Sequence, residues 1–215
     1  MESSTWIVIP VRSLTDGKRR LAPVLDPDER SGLVRRMFLR TLEAAIEAGP
    51  PVLVVSPDPA ALTLARDRGA TGLEEPRPVE LNHALELAAR EAAARGATAL
   101  LVVSADLPDL GAQDLRAMLP PPPAAPSAPA DAVVRIAPDE AGIGTNALYV
   151  RPPGLLAFEY GETSCRRHID QARARGARVE RVDRPGLRFD LDTPDDLERH
   201  ERRRLGRPDG DREDR

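Results

Sequence analysis

Short runs of consecutive apolar residues alternate along the chain with longer stretches whose apolar positions recur every three or four residues. Trp6 to Val11, WIVIPV, is rich in β-branched residues and bounded by polar sequence, which predicts a strand buried on both faces. Asp28 to Ala48 aligns Leu33, Val34, Met37, Phe38, Leu42 and Ala45 on one side of a helix, and Gly49-Pro50-Pro51 ends it. The alternation continues with predicted strands over Val52–Ser56, Ala70–Leu73, Thr98–Ser104, Ala132–Ala137, Ala147–Val150 and Arg178–Val182. Helices are predicted over Pro59–Arg68, Val79–Arg95, Gln113–Leu119 and Ser164–Arg175, and Phe189–Leu191 reads as a last strand leading into a final helix. Proline and alanine fill residues 120–130, a tract that holds neither helix nor ladder and is expected to be a surface loop inside the domain. Residues 199–215 are nearly all charged or Gly/Pro and are expected to fray as a disordered tail. The pattern predicts one α/β domain over residues 1–198, with a mostly parallel mixed sheet flanked by helices.

Composition narrows the function classes. The 215 residues suffice for one large domain, and 31 basic against 35 acidic residues give a net charge of −4, which does not favour a nucleic-acid or membrane partner. The single cysteine, Cys165, excludes an intramolecular disulfide framework, and no apolar run approaches the ~20 residues that span a bilayer. With no signal-peptide pattern in the first residues, the expectation is a cytoplasmic protein; a homodimer is left open. Two residue types are scarce. Lys18 is the one lysine among the 31 basic residues, and Asn82 and Asn146 are the two asparagines. A lysine retained in an arginine-rich chain suggests a site that needs a compact point charge rather than a planar fork, although chance alone also leaves single residues behind.

In an α/β sheet, ligands sit beyond the carboxyl ends of the strands, and the candidate chemistry gathers there. The loop after the first strand carries Arg12, Lys18, Arg19 and Arg20, cations suited to the phosphates of a nucleotide, without the glycine spacing of a dinucleotide fingerprint or a Walker loop. Asp106 follows the apolar run Ala99–Val103, and Asp190 and Asp192 fall on one face of the predicted Phe189–Leu191 strand. Thr193-Pro194-Asp195-Asp196 beside them reads as a helix start. Three carboxylates near a lysine suit Mg²⁺, which takes a few carboxylates and binds substrate phosphates. Two further segments, Gly142-Ile-Gly-Thr-Asn146 and Phe158-Glu-Tyr-Gly161-Glu-Thr-Ser164, combine glycine with hydroxyl donors, and Ser164 stands at a helix start where an anion is favoured. His83, His168 and His200 have no metal-ligand spacing and read as helix-surface or core residues, and no G-x-S-x-G nucleophile elbow occurs.

In this order, IPV…GKRRL, ELNHAL, LLVVSADLPDL, GTNALYVRPP, FEYGETSCRRH and FDLDTPDDL resemble the guanylyltransferases of deazaflavin coenzyme F-420 biosynthesis, from about Ile7 to Leu197. The resemblance implies the nucleotide-diphospho-sugar transferase type of fold, GTP as donor, pyrophosphate as product and Mg²⁺ as cofactor. It implies that Lys18 contacts the triphosphate with Arg12 and Asn82 on the nucleotide side, that Asp106, Asp190 and Asp192 hold Mg²⁺, and that Thr145, Gly161 and Ser164 hold the acceptor. Lys18 and Asp106 would be the catalytic pair. The expected acceptor is phosphoenolpyruvate, with 2-phospho-L-lactate and 3-phospho-D-glycerate as alternatives. A metal-dependent glycosyltransferase of the same fold and a non-catalytic nucleotide-binding regulator are the competing classes. Gly17 and Arg19 beside the lysine, Cys165, and Gly142-Ile143-Gly144 before Thr145 depart from the usual family pattern.

Overall fold

The computed structural model of the chain describes residues 4–75, 80–121 and 132–206. Its strands are β1 (Thr5–Pro10), β2 (Val52–Ser56), β3 (Thr71–Glu74), β4 (Ala99–Val103), β5 (Val133–Pro138), β6 (Thr145–Arg151) and β7 (Arg178–Arg181). They form one sheet in the order β3-β2-β1-β4-β6-β5-β7. The first four strands in that order are mutually parallel, β6 is antiparallel to both β4 and β5, and β7 is parallel to β5. The helices are α1 (Pro27–Ala48), α2 (Pro59–Asp67), α3 (Leu81–Ala94), α4 (Ala112–Met118), α5 (Ser164–Ala174), α6 (Pro185–Arg188) and α7 (Pro194–Arg204).

Successive strand residues point to opposite sides of a sheet, and each side here finds its own helices. Ile7, Ile9, Val54, Leu101 and Tyr149 pack with Phe38 and Leu42 of α1, Leu62 of α2 and Leu115 of α4. Trp6, Val8, Leu53, Val102 and Leu148 face the other way, onto Leu85 and Ala88 of α3 and Ala172 of α5. Burial on both faces is why these strands read as unbroken apolar runs. Helix α1 starts where it does because Asp26 and Glu29 exchange side-chain bonds with each other's backbone N–H at 2.8 Å, with Pro27 in the first turn. Among the described residues no helix is long and apolar enough to cross a membrane.

The strand order creates the site. From β1 the chain proceeds to β2 on one side, while β4 lies on the other side of β1, so the loops after β1 and β4 diverge and leave a crevice at the carboxyl ends of these strands. Because β6 is antiparallel to β4, with Val103 opposite Ala147, its first residues Thr145 and Asn146 open at the same end.

Two expectations give way. Phe189–Leu191 is not a strand: it follows the short helix α6, and its bond across to the β4 loop runs from Leu191 N–H to the Asp106 carbonyl at 3.2 Å. Its period-two pattern arises because Phe189 and Leu191 are buried with Leu21, Leu33 and Met37, an apolar cluster outside the sheet. The expected tail also begins too early, since α7 runs on to Arg204. Two of its arginines cover Phe189: the Arg199 and Arg203 guanidinium groups lie 4.9 and 4.7 Å from the ring centre, and Arg199 pairs with Glu140 at 2.7 Å. The loop predicted over 120–130 lies outside the described residues from 122 on, as does the tail from 207 on.

Gly186 in α6 locks the β4 loop to this segment. A Cβ there would meet Asp114 Oδ2 at 2.2 Å and the Asp109 carbonyl oxygen at 2.9 Å. Asp114 cannot step aside, being buried and bonded to both Gly111 N–H and Arg184 at 3.1 Å. Gly186→Ala is therefore expected to lower stability by about 2 kcal/mol, read as a lower urea midpoint at unchanged slope. An unchanged midpoint would show that the β4 loop and α6 are not rigidly packed.

Candidate active site

The crevice between the β1 and β4 loops holds a cavity of about 350 Å³ whose wall includes Arg12, Gly17, Lys18, Glu75, Ser104 and Asp106. Of the four cations in the β1 loop, Lys18 turns inward and Arg12 reaches the cavity wall. Arg19 instead faces solvent and pairs with Asp16 at 2.6 Å, and Arg20 is exposed. Gly17 permits a close approach, since a Cβ there would sit 2.8 Å from Val34 on α1.

Lys18 is the point where three segments meet. Its Nζ donates to Asp106 Oδ2 at 2.9 Å and to Asp192 Oδ1 at 2.5 Å, with the lysine side chain only 10% exposed. Burial alone would pull its pKa down, but the charges and hydrogen bonds of Asp106 and Asp192 outweigh it and the pKa is raised, so Lys18 is an ammonium. The residue is also left-handed, φ 52° and ψ 44°, a conformation that costs a non-glycine residue ~1 kcal/mol or more. The packing around it holds that strain and aims the side chain at the two carboxylates. Asp190 sits behind them: burial, then the nearby charges of Asp106 and Asp192, push its pKa up to about 6.

The carboxylate segment is fixed by its neighbours. Asp196 accepts hydrogen bonds from Asp192 N–H at 3.1 Å and Thr193 N–H at 2.8 Å, so the cap of α7 also sets the Asp192 backbone. The Asn146 amide donates to the Leu187 and Arg188 carbonyls at 2.9 and 3.2 Å, just ahead of Phe189. Asn82 does the same on the other side: it accepts from Tyr160 N–H at 2.8 Å and donates to the Tyr160 carbonyl at 3.3 Å. Both scarce asparagines thus bracket site segments through the main chain. An aspartate could not replace either, because a carboxylate has no N–H to donate.

Thr145, Gly161 and Ser164 are brought together. Thr145 Oγ1 and Ser164 Oγ are 3.0 Å apart, and Ser164 N–H donates to the Gly161 carbonyl at 3.2 Å. Gly161 has φ 129°, a region that favours glycine. Ser164 is the first residue of α5 rather than its cap; Thr163, with φ 58°, flanks the helix. The leading amides of α5 are spent within the protein, Ser164 N–H on Gly161 and Cys165 N–H on the Ile143 carbonyl at 3.0 Å. The first two amides of α5 are therefore not open to an anion, and the hydroxyls of Thr145 and Ser164 remain as side-chain donors there. Asp139 shapes the neighbouring turn by accepting from Ile143 and Gly144 N–H at 2.8 and 2.9 Å.

The three carboxylates do not form a ready-made cage: among the described residues no group of three His, Cys, Asp or Glu side chains is placed to hold a metal ion. Their chemistry nonetheless suits one. Asp190 is raised by burial and then by the like charges beside it, a penalty on its ionised form that a divalent cation relieves, and Mg²⁺ needs only one or two carboxylates when substrate phosphates supply the rest. Sequence reasoning missed Glu75, which is buried just after β3 in the cavity wall, and it gave His168, which is indeed buried, no part in the site although it lies against Thr145. A signal existed for His168: it follows Ser164 by four residues, the spacing that shares a helix face.

Residues 5–200 match the family described as Guanylyl transferase CofC like. The chain is 46% identical over 199 residues to the phosphoenolpyruvate guanylyltransferase of Rubrobacter xylanophilus, covering 92% of this chain and 94% of the relative. It is 35% identical over 193 residues to the 2-phospho-L-lactate guanylyltransferase of Methanothermobacter thermautotrophicus, covering 90% and 82% of the two chains. In fold it is similar to a solved structure ascribed to the nucleotide-diphospho-sugar transferases, from Desulfovibrio desulfuricans G20, with a TM-score of 0.68 at 16% identity over 91% of this chain and 85% of the other. The lysine and carboxylates at the switch point thus stand in an enzyme of nucleotidyl transfer, and the chain belongs to the CofC-like guanylyl transferase family.

Proposed function

We propose that this guanylyltransferase transfers GMP from GTP to phosphoenolpyruvate and releases pyrophosphate, serving deazaflavin coenzyme F-420 biosynthesis. The observation that carries the reading is the buried Lys18 ammonium held by Asp106 and Asp192 in the switch-point cavity. A relative 46% identical bears this acceptor in its name.

An oxygen of the acceptor phosphate attacks the α-phosphorus of GTP. A new P–O bond forms as the bond from the α-phosphorus to the bridging oxygen of the β-phosphate breaks, and pyrophosphate leaves with the electron pair. A phosphate monoester is largely dianionic at neutral pH, with its second pKa about 6, so no general base is required. This agrees with a site built of cations, carboxylates and hydroxyls. Its work is positioning and charge neutralisation. Lys18 and Arg12 meet the triphosphate. Asn82 belongs to the nucleotide side, setting α3 against the acceptor segment through Tyr160. Thr145, the Gly161 backbone and Ser164 hold the acceptor. Asp106, Asp190 and Asp192 would hold Mg²⁺, which when bound supplies positive charge to the phosphates.

The direct test incubates the protein with GTP, Mg²⁺ and each of phosphoenolpyruvate, 2-phospho-L-lactate and 3-phospho-D-glycerate, and measures pyrophosphate. Phosphoenolpyruvate is expected to show the highest kcat/KM by roughly tenfold or more, since a site that hydrogen-bonds one acid leaves groups unpaired with another. A tenfold preference for either competitor would overturn the acceptor.

Asp190 offers a separate test of the metal site, because its carboxylate is not paired with Lys18. In Asp190→Asn the Mg²⁺ concentration for half-maximal rate is expected to rise about tenfold or more, with the GTP KM at saturating metal little changed. An unchanged Mg²⁺ titration would make Asp190 a structural residue.

A further inference from the structure

His168 is fully buried on α5 and touches both halves of the acceptor segment. Its Nε2 accepts a hydrogen bond from Glu159 N–H at 3.1 Å, and its Nδ1 lies 3.3 Å from Thr145 Oγ1, which is 3.0 Å from Ser164 Oγ. The contacts at the imidazole fix the direction of the hydrogen between His168 and Thr145. A backbone N–H can only donate, so Nε2 carries no proton and the neutral ring must carry it on Nδ1. The hydrogen between Thr145 Oγ1 and Ser164 Oγ runs either way, since each hydroxyl oxygen has two lone pairs, but Nδ1–H donates to Thr145 Oγ1. The reverse polarity would need Nδ1 as an acceptor and a proton on Nε2, where Glu159 N–H already points.

The count leaves one hydrogen over. Three donors, Nδ1–H and two hydroxyls, make two bonds among themselves, and among the described residues no acceptor takes the remaining hydroxyl hydrogen of the Thr145–Ser164 pair. Thr145 and Ser164 are both buried, so a hydroxyl hydrogen without a partner there is costly unless a ligand receives it. Burial also holds the His168 pKa down at about 4 against a weaker pull from Glu159, so the ring remains neutral in the physiological range and its polarity persists. Tyr160 packs edge-on to the imidazole at 5.1 Å and limits its rotation.

We propose that His168 is a positioning residue which, by donating to Thr145, leaves one hydroxyl hydrogen of the Thr145–Ser164 pair to be given to an anionic oxygen of the phospho-acid acceptor. The proposal rests on the acceptor site placed above at Thr145, Gly161 and Ser164, and adds to it a hydrogen-bond relay. The relay makes the subsite select an oxygen that accepts and disfavour a group that only donates.

Two amide variants separate this role from simple packing. Asparagine sets an N–H near the position of Nδ1 and keeps the donor to Thr145, while glutamine sets an acceptor near Nε2 and keeps only the bond to Glu159. His168→Gln is expected to raise the acceptor KM about tenfold, the loss of one hydrogen bond to a charged group, with the GTP KM unchanged. His168→Asn is expected to remain within a few-fold of the parent. If His168 merely supports the Glu159 backbone, the order reverses, and that result overturns the proposal. Ser164→Ala distinguishes the underlying reading: an unchanged acceptor KM there faults the acceptor site and takes the relay with it. A raised KM in Ser164→Ala together with an unaffected His168→Gln faults the relay alone. A long-range ¹⁵N–¹H spectrum of the imidazole in the substrate-free protein reads the tautomer without any turnover. Protonation at Nδ1 is expected, and protonation at Nε2 would overturn the proposal.

Discussion

The ammonium of Lys18 between Asp106 and Asp192 is the interaction on which the site depends, because it joins segments from three distant parts of the chain. A buried charge is tolerated only when it is paired and hydrogen-bonded. Here the two carboxylates do more than offset burial: they raise the lysine pKa, and the lysine in turn keeps two neighbouring acids from repelling each other unopposed. The surrounding structure serves to hold those three groups in register. The β1 and β4 strands lie side by side, Leu191 N–H bonds the Asp106 carbonyl, and Asp196 sets the backbone of Asp192. Phe189, clamped beneath Arg199 and Arg203, ties the whole carboxylate segment to α7.

This arrangement divides the site along the sheet. In the proposed reading the nucleotide is taken by the parallel half, where the β1 and β4 loops part, and the acceptor by the start of the antiparallel β6 and by α5. The two asparagines span the division, Asn82 from α3 to Tyr160 and Asn146 from β6 to Leu187 and Arg188. Nucleotidyl transfer to a phosphate needs two anions brought together, and a rigid bracket between their subsites contributes to that positioning.

Strands buried on both faces and helices with a clean apolar stripe were legible in the sequence because their burial leaves an unambiguous period. The same holds for the place of Asp106, since a carboxylate three residues past an unbroken apolar run lies just beyond a strand end. Phe189 and Leu191 were misread as a strand because any extended segment with one face on an apolar cluster alternates in the same way. Arg199 to Arg204 read as a frayed tail because the sequence gives no sign that two arginines cover a phenylalanine rather than water. The core placement of His168 is legible, but not its part in the site, because a histidine on a helix has many ordinary uses. Only its distance to Thr145, a residue on another element, sets it apart.

The claim that Lys18 acts as a compact point charge, and not merely as a positive residue, is tested most directly by kcat/KM for GTP in Lys18→Arg, with Lys18→Ala as the reference for complete loss. A guanidinium is planar and larger than an ammonium, and a single Nζ position within bonding distance of both Asp106 and Asp192 cannot be reproduced by its fork. The account predicts that Lys18→Arg falls about a hundredfold or more and lies near Lys18→Ala, a loss of transition-state stabilisation of roughly 3 kcal/mol. Activity in Lys18→Arg within a few-fold of the parent would contradict it, and would show that any cation at this position suffices.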